Sequence, residues 1–112
     1  NADVEGIDDE GWTPLHYASG NGKIEVLEYL VKQRHANVEV KDNNGLTPLH
    51  TASMNGKIKS IRFLVEHCNA NVEAEDNDGR TPIKVALDYG EVRTAKYLYI
   101  YCGAAFDIID SH

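Results

Sequence analysis

The sequence predicts an all-α repeat solenoid whose 34-residue units each hold a β-hairpin and a helix-turn-helix pair. Two observations predict it. GWTPLHYAS at residues 11–19 recurs as GLTPLHTAS at 45–53 and, diverged, as GRTPIKVAL at 79–87, each time 34 positions on. Residues 8–41 and 42–75 are identical at 18 of 34 positions, and a fixed period of this length marks stacked units, none of which buries its apolar face alone. The phase runs to both ends, since NADVEGID at 1–8 aligns with HANVEVKD at 35–42, NANVEAED at 69–76 and GAAFDIID at 103–110. The expected division is a partial repeat at 1–7, repeats at 8–41, 42–75 and 76–109, and a tail at 110–112, within a single domain.

Each unit begins with a turn. IDDEG, KDNNG and EDNDG are clusters of Asp, Asn and Gly that supply side-chain turn bonds and positive φ. Two residues after the closing glycine, Thr13, Thr47 and Thr81 stand as helix caps. Pro14, Pro48 and Pro82 follow at the first helical position, where a missing N–H costs nothing. The short inner helix stops at Asn21-Gly22, Asn55-Gly56 or Tyr89-Gly90. The outer helix that follows has helical apolar spacing, as in Ile24, Leu27, Leu30 and Val31 or Ile58, Ile61, Leu64 and Val65. His35, Asn69 and Gly103 close it, three residue types that tolerate a left-handed C-terminus. Leu15, Leu49, Ala18, Ala52, Leu30 and Leu64 are the expected core.

Composition narrows the function. The formal net charge of −7 is spread along the chain, and no segment is strongly basic, which argues against a phosphate-backbone binder or a polybasic membrane patch. No apolar run approaches the roughly eighteen residues of a membrane span, and the N-terminus has no signal-peptide pattern. A soluble module inside the cell, in the cytoplasm, is the expectation. No phosphate loop, CxxC pair or Ser/His/Asp arrangement stands out, so no enzyme, cofactor or metal site is expected. His16 and His50 are read as bonding the capping Thr and nearby backbone. Equivalent residues of adjacent repeats lie roughly 8 to 10 Å apart, too far to share a zinc ion. By the same spacing Cys68 and Cys102 exceed the roughly 7 Å limit for a disulfide, and two free thiols are expected.

The constellation D-x-x-G-x-T-P-L-H-x-A, followed by G-x-x-x-x-x-x-x-L and a return A-x-V, resembles the ankyrin repeat, and the resemblance covers the whole chain. Asp8, Gly11, Thr13, Pro14, Leu15, His16, Ala18 and Gly22 carry it in the first repeat. Asp42, Gly45, Thr47, Pro48, Leu49, His50, Ala52 and Gly56 carry it in the second. The third departs, with Ile83 and Lys84 in place of Leu and His. These repeats also run one residue beyond the family's usual length, at Arg34, Cys68 and Cys102, which implies a slightly longer outer-helix turn. The resemblance implies L-shaped units whose inner helices line a concave face and whose hairpins project beyond it, and a protein-binding function.

Positions outside the shared skeleton are free to serve a partner, because each repeat touches only its neighbours. The candidate partner-binding residues are Asp9, Glu10, Trp12 and Tyr17 in the first repeat, Asn43, Asn44, Leu46 and Met54 in the second, and Asn77, Asp78, Arg80, Asp88 and Tyr89 in the third. Trp12, Leu46, Met54 and Tyr89 are the expected anchors, since aromatic residues and Met are enriched at interface centres. The turn tips form an acidic-to-neutral rim that favours a protein partner with basic groups over nucleic acid. The alternative function is a structural spacer in a longer array whose working site lies elsewhere. At the C-terminal end, Ile100 and Tyr101 replace the polar Lys32-Gln33 and Glu66-His67, and Phe106, Ile108 and Ile109 add apolar bulk. That pattern sets the expectation of further repeats or self-association there.

Overall fold

The computed structural model describes residues 9–104, and its helices recur with the 34-residue period. Three inner helices, α1 (Pro14–Gly20), α3 (Pro48–Met54) and α5 (Pro82–Asp88), alternate with three outer ones. The outer helices are α2 (Ile24–Glu28), α4 (Ile58–Arg62) and α6 (Val92–Tyr101). Each inner helix starts where the sequence places it. The hydroxyls of Thr13, Thr47 and Thr81 accept the backbone N–H of His16, His50 and Lys84 at 3.4, 3.3 and 3.4 Å. In the first two copies the histidine answers, its Nδ1 accepting the N–H of Thr13 at 3.0 Å or Thr47 at 3.1 Å. The result is a capping box closed by imidazole in place of the usual carboxylate or amide. Lys84 cannot accept, so α5 keeps only half of it.

In the first two repeats the outer helix changes winding before it ends. Helix α2 continues as a π-helical turn over Tyr29–Gln33, and α4 as one over Phe63–His67. The N–H of Arg34 reaches back five residues to the carbonyl of Tyr29 at 3.3 Å, the bond that defines a π-turn. The third copy closes differently: α6 stays α-helical to Tyr101, and the N–H of Cys102 bonds Leu98 four residues back at 3.2 Å. All three then end as the sequence predicts. His35, Asn69 and Gly103 have φ of 54°, 55° and 70°, and the next N–H, of Ala36, Ala70 or Ala104, bonds the carbonyl of Leu30, Leu64 or Leu98 at 3.0 Å.

Inner helices stack in the order α1, α3, α5, with the outer layer behind them. The body is elongated, 48 × 26 × 19 Å. The core runs between the layers in two parts. Leu15, Ala18, Leu27 and Leu30 gather around Phe63 of the second copy. Leu49, Ala52, Ile61 and Leu64 meet Ile83, Ala86, Ala95 and Leu98 of the third. All six core residues expected from the sequence are buried.

The hairpins expected from the sequence carry no strand among the described residues. Each is a tight turn closed by a single rung, Asp42 N–H to Leu46 O or Asp76 N–H to Arg80 O, both 2.9 Å, too short for a ladder. Successive turns join by one backbone bond, Asn43 N–H to Glu10 O and Asn77 N–H to Asn44 O, again 2.9 Å. Gly45, at φ 80°, permits that approach: a Cβ there would stand 2.5 Å from Asn77 Oδ1 and 2.7 Å from its backbone N, besides straining the backbone.

Candidate functional site

The turns and the inner helices share one face, and the stack brings residues of all three copies to a single groove of about 400 Å³. Seven of the expected contact residues line it: Glu10, Trp12, Tyr17, Asn44, Leu46, Met54 and Tyr89. Trp12 lies edge-on to Tyr17, ring centroids 5.0 Å apart, and tilted over His16 at 5.8 Å. Leu46 is only 5% exposed and serves as wall more than as a projecting anchor. Tyr17 and Tyr89 are exposed from successive ends of the groove wall formed by α1 and the end of α5.

The other six candidates lie outside it. Asn43 and Asn77 are exposed, yet their amides donate to the carbonyls of Asp9 and Asn43, both at 3.0 Å, tying each turn to the one before. Asp9 and Asp78 stand at exposed turn tips. Arg80 and Asp88 belong to a charge cluster of the third copy. Arg80 Nε pairs with Asp76 Oδ2 at 2.9 Å, Nη1 with Asp88 Oδ2 at 3.4 Å and Nη2 with Asp78 Oδ2 at 4.0 Å. Burial works to raise the Asp76 pKa, but bonds from the Arg80 backbone and guanidinium and from the Asp78 N–H outweigh it and hold the carboxyl below its usual range.

Asp42 is the lining residue that the sequence reading assigned to the skeleton alone. Its Oδ1 accepts the N–H groups of Asn44 and Leu46, both at 2.8 Å, while its Oδ2 has no hydrogen-bond partner. The signal for it was the pairing four residues on, Arg80 after Asp76 but Leu46 after Asp42.

The histidines have a structural role that reaches farther than the sequence indicates. With Nδ1 accepting from threonine, Nε2–H of His16 donates to Leu46 O at 2.7 Å, and that of His50 to Arg80 O at 2.8 Å. Each imidazole thus bonds its own cap and the next copy's turn. Inner helices are joined again by Thr51 Oγ1 to His16 O at 3.3 Å and by the Asn55 amide to Gly20 O at 2.9 Å. Cys68 and Cys102 are free, half-buried thiols, and burial pushes both upward in pKa, with Lys32 opposing at Cys68 and Glu66 adding at Cys102. Neither is a ready nucleophile.

The third copy also carries an apolar groove of about 280 Å³, lined by Ile83, Leu87, Val92, Ala95, Tyr99 and Ile100 together with Lys96. Ile100 is 63% and Tyr101 74% exposed. Phe106, Ile108 and Ile109, expected to extend this apolar end, lie outside the described residues. No helix among the described residues is long and apolar enough to cross a membrane.

Two family models match the chain. One, described as ankyrin repeats (3 copies), matches residues 32–110, and the other, described as ankyrin repeats (many copies), matches residues 1–52. No curated protein matches it.

Proposed function

Since the chain belongs to the ankyrin repeat family, whose members are generally protein-protein interaction modules, we propose that it is a non-catalytic module binding a partner protein. In this reading the repeats 8–41, 42–75 and 76–109 form a solenoid that grips the partner with turn tips and inner helices, as part of a scaffold or regulatory protein. The observation that carries the reading is the groove in which Trp12 and Tyr17, Leu46 and Met54, and Tyr89 converge from three successive repeats. A repeat stack leaves its outward positions free of folding constraint, and here those positions gather large apolar groups where a spacer has no use for them. Asp9, Asn43, Asn77, Asp78, Arg80 and Asp88 form the polar rim. The partner carries basic groups, because the described residues that line the groove include the carboxylates of Glu10 and Asp42.

Trp12→Ala is expected to weaken partner binding by about 1 kcal/mol or more, as loss of a central aromatic does. Titration calorimetry reads it once a partner is in hand. Pull-down with the Trp12→Ala, Met54→Ala chain should lose that partner, whereas a spacer would keep every partner it has.

The apolar groove of the third repeat supports a second contact, with another copy of the chain laid against Tyr99, Ile100 and Tyr101. Sedimentation at high concentration is expected to show association that the Ile100→Lys, Tyr101→Glu chain lacks. A parent that stays monomeric, with solubility and melting unchanged in the variant, removes this contact.

A further inference from the structure

We propose that the groove receives an arginine side chain of the partner protein, its guanidinium paired with the Asp42 carboxylate and packed against Trp12 and Tyr17. The inference rests on the protein-binding reading above and specifies what that site recognises. Asp42 is 7% exposed and lines the groove, and its Oδ2 is without a hydrogen-bond partner. A buried carboxylate oxygen left unpaired is costly, so the site gains from any ligand that completes it.

The chain itself displays the completing group. In the third repeat Asp76 holds its turn in the same way, Oδ1 accepting the N–H groups of Asp78 at 2.9 Å and Arg80 at 2.8 Å. There Oδ2 is satisfied by Arg80 Nε at 2.9 Å. Arg80 stands 34 positions after Leu46, at the equivalent place. The second repeat thus has the same carboxylate with the guanidinium missing; Asp42 lines the groove with Oδ2 just beneath its surface, so a ligand pairs with it by displacing part of the groove wall. The surroundings suit that ligand. Glu10 adds a second negative charge, Leu46 and Met54 offer walls for a methylene stem, and the Trp12–Tyr17 pair offers aromatic surface for a planar cation. Arginine fits better than lysine, because its weakly hydrated fork loses less on burial and can stack and pair at once.

The test uses the full chain against a displayed library of random peptides, with binding followed by the fluorescence of Trp12, the single tryptophan. Peptides that perturb Trp12 are expected to contain an arginine whose replacement by citrulline weakens binding roughly tenfold or more. Asp42→Asn keeps Oδ1 as acceptor for the turn and should abolish that difference between arginine and citrulline. Leu46→Arg supplies the guanidinium from within, as Arg80 does, and should exclude the arginine peptides. Peptides that perturb Trp12 but bind equally well with citrulline, or keep their arginine preference in Asp42→Asn, overturn the arginine assignment and leave the protein-binding reading standing. A library with no peptide that perturbs Trp12 overturns both. The citrulline comparison requires no variant, so it decides even where a substitution unfolds the chain.

Discussion

Leu49→Ala is expected to destabilise the chain by about 2 to 5 kcal/mol, the cost of deleting a buried leucine together with the cavity it leaves. Leu49 is 1% exposed, sits in the first turn of α3, and belongs to the core shared by the second and third repeats. Its position in the middle helix of the stack matters as much as its burial. In a one-dimensional array stability is a sum of unit and nearest-neighbour terms, and α3 packs against both α1 and α5. A loosened α3 therefore weakens two interfaces at once. Urea unfolding of the variant should show a much lower midpoint, and near-neutral behaviour would mean that the repeats do not stack through this residue.

His50→Ala is expected to cost about 2 to 4 kcal/mol, because it removes a bond to its own cap and a bond to the next repeat in addition to opening space. The Thr47 N–H loses its acceptor within the repeat, and the Arg80 carbonyl of the next repeat loses one of its two donors and keeps only the Asp76 N–H. The wild type should also show an acid dependence that this variant lacks. Burial pushes the His50 pKa below its ordinary value, outweighing the raising effects of the Arg80 carbonyl and of Asp76. The unfolded chain, with histidine near about 6.5, then takes up a proton before the folded one does. Stability from the neutral imidazole is fully present above that pH and is lost as pH falls from it towards the folded value. Urea midpoints measured at about pH 7.5 and about pH 5.5 should differ less in His50→Ala than in the wild type. Equal differences would assign the acid sensitivity to other groups.

Lys84 shows the third copy without this bond. At the position of His16 and His50 it is exposed, makes half of the cap and pairs with Asp88 at 3.8 Å. The substitution is visible in the sequence, but its meaning is not, because the role of His50 Nε2 becomes clear only when the carbonyl 30 residues on is located.

The same contrast separates the candidate contacts. Trp12, Met54 and Tyr89 could be assigned to the turns and inner-helix ends from the repeat phase alone, but their meeting in one groove comes from the stack. Asn43 and Asn77 are exposed on the turns, yet each amide bonds the preceding turn. Exposure by position does not tell a side chain free to bind from one already bonded along the stack.

By itself the sequence determined the period, the helix starts and the left-handed closures at His35, Asn69 and Gly103. These depend on the conformational preferences of Thr, Pro, Gly and Asn within a few residues, so local chemistry suffices to fix them. Only the tertiary structure decided how the outer helices wind, with a π-turn in the first two while the third stays α-helical. It also decided that Asp76 is satisfied and Asp42 is not, and that the residues around Asp42 enclose a groove. Those outcomes depend on which side chains meet across a full repeat, where packing against a neighbour chooses among conformations that the local sequence leaves equally open.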